Sequence, residues 1–220
     1  MLVKICGVRD VDTALSAAAA GADAIGLNFY AQSPRVVTPA VAAEIAAQVR
    51  SAPSNAVEAV GVFVNHSAGE IRTICRSCDL TTIQLHGDES PELVAELSAE
   101  FRIVRAFRIG LEGLDSLVRY LDACARLDAL PWACLVDARV EGQYGGTGHT
   151  APWELLARDY RTDEWPPLIL AGGLRPDNVA EAIRVVHPWG VDVAGGVESA
   201  VACKDAALVR QFVQNAKASP

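Results

Sequence analysis

The sequence predicts one closed (β/α)₈ barrel spanning residues 1–220. Three observations carry this. Eight short apolar, β-prone runs alternate with eight helical patterns, the signature of a parallel sheet with helical crossovers. Several runs, such as "ACLV" and "PLILA", are apolar on successive residues, as strands covered on both faces require. The turn after the first run, "CGVRD", holds a single glycine. An open doubly wound sheet, the alternative architecture, would be expected to carry G-x-G-x-x-G there. The chain is somewhat shorter than the usual barrel of ~250 residues. No composition shift, linker or low-complexity tract divides it.

The strands are expected at Leu2–Ile5, Ala24–Phe29, Val57–Val64, Thr81–Leu85, Ile103–Phe107, Trp132–Val136, Leu168–Ala171 and Val191–Val193. The helices between and after them are expected at Val11–Ala20, Ala40–Arg50, Gly69–Cys78, Pro91–Ser98, Leu114–Leu127, Pro152–Ala157, Pro176–Val186 and Lys204–Ala216. Local signals mark several helix starts. Asp10 precedes the first, Thr38-Pro39 the second, Ser90-Pro91 the fourth and Arg175-Pro176 the seventh. Short oxygen-bearing side chains cap free N–H groups, and proline fits the first turn because its missing N–H is not needed there.

Composition excludes several function classes. The chain is 51% hydrophobic and 21% charged, with a net charge of -8. No basic stripe for nucleic acid stands out. No apolar run reaches the ~18 residues of a membrane span, and no signal peptide precedes the first strand. Six scattered cysteines without a secretory signal suit a reducing cytoplasm. Cys75 and Cys78 form a lone C-x-x-C, read as helix-face residues rather than zinc ligands. The four histidines, His66, His86, His149 and His187, are scattered singly, so no metal site is expected.

In a barrel, chemistry sits at the carboxyl ends of the strands. Paired glycines follow three of them: "GGTG" (Gly145 to Gly148, including Gly146), Gly172–Gly173 and Gly195–Gly196. Glycine pairs after strands seven and eight point to a phosphate held by backbone N–H groups. Amide donors also reconcile an acidic chain with an anionic ligand. Cys6 closes the first strand, either as a small buried hydrophobe or as a thiolate base. If Cys6 faces the barrel mouth, alternation places Lys4 inside one layer below. A buried lysine needs a partner, and Asp192 on the neighbouring eighth strand is the expected one. The positive charge of Lys4 beneath the thiol would then draw the Cys6 pKa down. Asp137 ends "ACLVD" and reads either as a turn former or as a general acid. Arg35 is a solvated loop residue or a fork for a carboxylate. His86 is a turn histidine or a substrate contact that titrates near neutrality.

Taken together, the motifs resemble the phosphoribosylanthranilate isomerases, small (β/α)₈ barrels of tryptophan biosynthesis. The matching pieces are "KICGVRD" (4–10), "GADAIGLNFYAQSPRVV" (21–37), "VGVFVN" (60–65), "QLHGDE" (84–89), "LVDARVEGQYGGTG" (135–148), "LAGGLRPDNV" (170–179) and "GVDVAGGVE" (190–198). The resemblance implies an Amadori rearrangement of N-(5-phosphoribosyl)anthranilate without cofactor or metal. It puts the general base on Cys6, the general acid on Asp137 and the anthranilate-carboxylate arginine on Arg35. It places Asp192 near the ribose hydroxyls and the phosphate at Gly172, Gly173, Gly195 and Gly196. "GGTG" becomes a mobile covering loop. The partner implied is one small phosphorylated substrate, and the chain is expected to be a monomer or homodimer. The chain departs from the family at Ala194-Gly195, where two serines are usual, and at Asn28, usually apolar. A histidine-pathway sugar-phosphate isomerase and a non-catalytic sugar-phosphate-binding barrel are the alternatives.

Overall fold

The computed structural model describes residues 1–51, 57–110, 113–137 and 151–219. Eight parallel strands close into a barrel in sequence order. They are β1 (Leu2–Cys6), β2 (Ala24–Asn28), β3 (Glu58–Phe63), β4 (Thr82–Leu85), β5 (Arg102–Arg108), β6 (Ala133–Asp137), β7 (Leu168–Ala171) and β8 (Gly190–Val193). The helices are α1 (Val11–Ala19), α2 (Pro39–Arg50), α3 (Ala68–Cys78), α4 (Pro91–Leu97), α5 (Asp115–Arg126), α6 (Ala151–Asp159), α7 (Val179–Val186) and α8 (Ala206–Lys217). A single 3₁₀ turn (Gly195–Val197) and a two-stranded ribbon, β9 (Glu198–Ala200) and β10 (Cys203–Lys204), lie between β8 and α8.

The helix starts follow their caps. Asp10, Thr38 and Ser90 each accept from a backbone N–H of the first turn, and Pro39 and Pro91 sit just inside. Two expected starts are corrected. Helix α7 begins at Val179 rather than Pro176, because residues 175–178 form a separate turn. In that turn Asn178 Oδ1 accepts from Arg175 N at 2.7 Å. Helix α8 begins after Asp205, whose carboxylate accepts from Ala207 N and Leu208 N. Lys204 therefore belongs to the ribbon, not to the helix.

Packing follows the alternation of side chains. Helix faces cover the outside of the barrel. In α8, Val209, Phe212, Val213 and Ala216 recur at helical spacing and are buried; each of the three larger ones contributes about 1.5–3 kcal/mol of burial. The inside is divided. Val104, Ala106, Ala133, Leu135, Ile169 and Ala171 form an apolar cluster on the β5–β7 side. Lys4, Thr82, Gln84 and Asp192 are buried polar groups on the remaining wall. No helix among the described residues is long and apolar enough to cross a membrane.

Candidate active site

The site builds upward from β1. Closure of the barrel sets Lys4 opposite Asp192 of β8 and opposite Ala24 of β2. Lys4 Nζ meets Asp192 Oδ1 at 2.7 Å, and both side chains are buried. This is the pair the sequence predicts. Burial works to lower the Lys4 pKa, but the Asp192 charge, with that of Cys6, outweighs it, so the ammonium is held above its usual range. Space for both Lys4 and Cys6 comes from Gly26, paired with Cys6 on β2. A Cβ there would stand 2.7 Å from Cys6 Sγ and 3.1 Å from Lys4 Nζ.

Cys6 is buried at the end of β1, one layer above Lys4. The expected depression of its thiol pKa is overturned. Burial pushes the thiol up, and the Asp192 charge adds to that, against the pull of Lys4 and Lys204. The lysine beneath the thiol arrives with its own counter-charge, which offsets part of its pull, and burial outweighs the rest. In this state Cys6 is a protonated thiol at neutral pH.

Asp137 ends β6, in register with Arg108 of β5 and Ala171 of β7. Ala133 and Leu135 lie in the inner cluster, so alternation turns Asp137 inward at the same rim as Cys6. His86 follows β4, its ring Nδ1 2.6 Å from the Gln84 carboxamide. Burial lowers its pKa to about 4, so the expectation of titration near neutrality is corrected: His86 is neutral at pH 7. Among the described residues, no group of three or more His, Cys, Asp or Glu could hold a metal ion.

Arg35 reaches the rim from the loop after β2. Asn28 shapes that loop: its Oδ1 accepts from Tyr30 N at 2.8 Å and its Nδ2 donates to Ser33 Oγ at 3.2 Å. Ser33 Oγ in turn accepts from Arg35 N. The polar residue at 28 is thus a loop former. The arginine stem crosses Gly7, which has φ +75° and where a Cβ would collide with Arg35 Cδ. Only glycine satisfies both demands. The guanidinium ends on Glu198, with Nε and Nη2 each donating at 2.7 Å. Lys204 Nζ donates to the same carboxylate at 2.8 Å and to Ala194 O at 2.8 Å. Burial opposes the Glu198 charge, but hydrogen bonds from Arg35 and Lys204 prevail and hold its pKa at about 2. Sequence reasoning missed Glu198, Lys204, Gly7 and Gly26. The only available signal was two charged residues, Glu198 and Lys204, following the last glycine pair.

The glycine loops adjoin this cluster. Gly172 and Gly173 have φ of +87° and +65°, and Asn178 Nδ2 donates to Gly173 O at 3.1 Å. Gly195 opens the 3₁₀ turn, with its Cβ position 3.6 Å from Arg35 Nη2. A Cβ on Gly196 would run into the carbonyl of Leu174, so the β7 and β8 loops touch only because that position is bare. Gly146 and the rest of "GGTG" lie outside the described residues.

Comparison with known proteins points one way. The family model for N-(5'-phosphoribosyl)anthranilate isomerase matches residues 3–215. An N-(5'-phosphoribosyl)anthranilate isomerase of Trichlorobacter lovleyi is 45% identical over 216 residues, covering 98% of this chain and 97% of that protein. The crystal structure of phosphoribosyl anthranilate isomerase from Thermotoga maritima superposes with a TM-score of 0.83 at 36% identity, covering 99% of this chain and 98% of that one. A phosphoribosyl anthranilate isomerase in complex with reduced 1-(o-carboxyphenylamino)-1-deoxyribulose 5-phosphate superposes with a TM-score of 0.80 at 33% identity, over 99% and 98% of the two chains. With the barrel closed in sequence order and the family model spanning nearly its whole length, the chain belongs to the N-(5'-phosphoribosyl)anthranilate isomerase family.

Proposed function

We propose that this chain converts N-(5'-phosphoribosyl)anthranilate to 1-(2-carboxyphenylamino)-1-deoxyribulose 5-phosphate, in tryptophan biosynthesis, with Asp137 as general acid and Cys6 as general base. The observation that carries the reading is the rim itself: an inward thiol and an inward carboxylate end β1 and β6. Family membership supplies the substrate.

The chemistry needs one acid and one base. Asp137 protonates the furanose ring oxygen, and the nitrogen lone pair expels it, opening the ring to an iminium at C1. The iminium acidifies the C2 proton, which Cys6 takes as a thiolate. The resulting enolamine is protonated at C1 and loses its enol proton to become the ketone. Protons leave and return in equal number, and the scheme draws on no cofactor or metal. The Cys6 thiol first gives its own proton to solvent and ends the step holding the C2 proton; the iminium charge forming beside it favours that loss. Each positioned group is worth ~10²–10⁴-fold.

Arg35 takes the anthranilate carboxylate, Asp192 and His86 face the ribose, and the phosphate lies between Gly172–Gly173 and Gly195–Gly196. The replacement of serines by Ala194-Gly195 leaves the backbone donors in place. A histidine-pathway substrate would need a second anion site after β3 and β4. There, Asn65 N and Gly87 N already donate to the Glu89 carboxylate, and Asp88 N donates to Asn65 Oδ1. An internal carboxylate stands where a second phosphate would have to go. A cytoplasmic location suits the six free cysteines. The chain is a monomer or homodimer; a relative from Thermotoga maritima described as dimeric favours the second, and sedimentation would decide.

The deciding experiment follows anthranilate-type fluorescence after the protein is added to freshly formed substrate. Catalysed loss of signal is expected. Ligand binding without turnover would establish the silent barrel instead.

A further inference from the structure

The cluster of Arg35, Glu198 and Lys204 is more than a carboxylate fork awaiting a ligand. We propose that Glu198 and Lys204 are positioning residues: Glu198 clamps one edge of the Arg35 guanidinium so that the other edge meets the substrate carboxylate, and Lys204 supplies the positive charge that Glu198 would otherwise cancel. This rests on the isomerase reading given above.

Four donors converge on Glu198. Arg35 Nε and Nη2, Lys204 Nζ and the backbone N–H of Ala202 donate to it at 2.7, 2.7, 2.8 and 3.2 Å. A carboxylate has about four acceptor sites, so this one is saturated and unsuited to carrying protons in a reaction. The side chains grade inward: Arg35 is 24% exposed, Glu198 5% and Lys204 3%. Only the arginine faces the mouth. Glu198 holds its Nε–Nη2 edge, and Nη1 has no partner among the described residues. A guanidinium has two edges that can each take a carboxylate side-on. The inner edge is occupied by the protein and the outer one is presented.

Charge decides what the outer edge can bind. Arg35 and Glu198 alone form a neutral pair with little attraction for an anion. With Lys204 the cluster carries one net positive charge in a chain of net charge -8. Lys4 cannot supply this charge, because Asp192 matches it. Lys204 also grips Ala194 O, so the residue that charges the carboxylate site also fixes the loop leading into Gly195. The ribbon makes this possible: Ala202, at φ +63°, turns the chain so that Lys204 pairs with Glu198 across β9 and β10.

A contrary picture makes Glu198 a competitor that must release Arg35 before substrate binds. The two pictures predict opposite signs. The test measures KM and kcat, together with anthranilate affinity by fluorescence titration, in wild type, Glu198→Gln, Lys204→Met and Lys204→Arg. In Glu198→Gln the carboxamide must point its NH₂ at Arg35 in either orientation, at Nε beside Lys204 Nζ or at Nη2 beside Ala202 N, so the clamp is lost. Glu198→Gln and Lys204→Met should each raise KM and the anthranilate Kd about tenfold, with kcat within about twofold. Lys204→Arg should recover most of the loss. A lower KM in Glu198→Gln would overturn the proposal in favour of competition. Unchanged anthranilate affinity in both charge-removing variants would overturn it outright. Glu198→Gln preserves shape and volume, so it carries the test even if Lys204→Met does not fold. Anthranilate binding requires no turnover, so an inactive wild type would sink the isomerase reading while these affinities still judge the clamp.

Discussion

Lys4→Met removes one half of a buried pair. Lys4 is 2% exposed, Asp192 7%, and their atoms stand 2.7 Å apart. Methionine matches the stem of lysine, so packing changes little and the loss is electrostatic. It leaves the Asp192 carboxylate buried without its cation. Breaking a buried pair from one side costs about 3–5 kcal/mol. In a chain of this size each kcal/mol lowers the melting temperature by about 2–4 °C, so the fall should be roughly 6–20 °C. The lysine pKa is raised in the folded state, so the stability it brings is whole below its unfolded value and is lost only as pH rises through the folded one. With an ordinary lysine value of ~10.4, the wild-type advantage should be flat from pH 7 to 9. Urea unfolding at several pH values measures both quantities. A further change, Asp192→Asn in the Lys4→Met background, should restore part of the loss, because no buried charge then remains. Stability of the single variant within about 1 kcal/mol of wild type would refute the reasoning, since it would mean that water or another group solvates Asp192.

Cys6→Ala and Asp137→Asn should each cut kcat by ~10²–10⁴-fold with melting curves close to wild type; near-normal turnover would remove that residue from its role. As the proposed base Cys6 would act as a thiolate, and its pKa is raised, so kcat/KM should climb with pH through 7–9 and level off only above the free-thiol value of ~8.5. A plateau below pH 7 would contradict this. Arg35→Ala should weaken substrate binding by about 1.5–3 kcal/mol, read mainly in KM; an unchanged KM would move the carboxylate elsewhere. Restoring serine at 194 or 195 should change phosphate affinity by no more than ~0.5–1.5 kcal/mol, one neutral hydrogen bond, and a thousandfold gain would defeat the amide account.

Features set by local periodicity were legible in the sequence. Thr38-Pro39 and Ser90-Pro91 announce their helices because a cap acts on the residues beside it. Even one long-range contact could be read, because a closed barrel makes the first and last strands neighbours. That, with the need of a buried lysine for an acidic partner, pairs Lys4 with Asp192, 188 positions away. What stayed hidden depends on the path of a loop or the depth of burial. Glu198 meets Arg35 across 163 positions through two loops with no periodicity. Read without the cap at Asp205, α8 takes in Lys204, and two residues' difference in the boundary decides whether that lysine lies on a helix or in the site. An unshifted His86 and a lowered Cys6 both fail against the structure for one reason. Neighbouring charges can be inferred from sequence, but the desolvation that dominates both groups follows from the folded surroundings.

In the proposed reading, the charges at the rim would let an acidic chain hold a substrate bearing both a carboxylate and a phosphate. A lone cation buried beneath the site would attract such a ligand, but burial would also favour its deprotonation. Lys4 avoids deprotonation through Asp192, and the resulting neutral pair gives little attraction to an anion. Attraction must therefore come from a cluster that keeps a net charge, and Arg35 with Lys204 around Glu198 is such a cluster. It stands beside Gly195, where backbone donors contribute partial positive charge without any ionisable group. The two pairings thus serve different ends. The balanced one, under Cys6, opposes only in part the burial that keeps the thiol protonated. The unbalanced one, at Arg35, keeps the net charge that the proposed reading needs to draw the substrate in. Exchanging their roles would fail on both counts: an uncompensated lysine under Cys6 would favour the thiolate before substrate arrived, and a neutral pair at Arg35 would give the carboxylate no reason to bind.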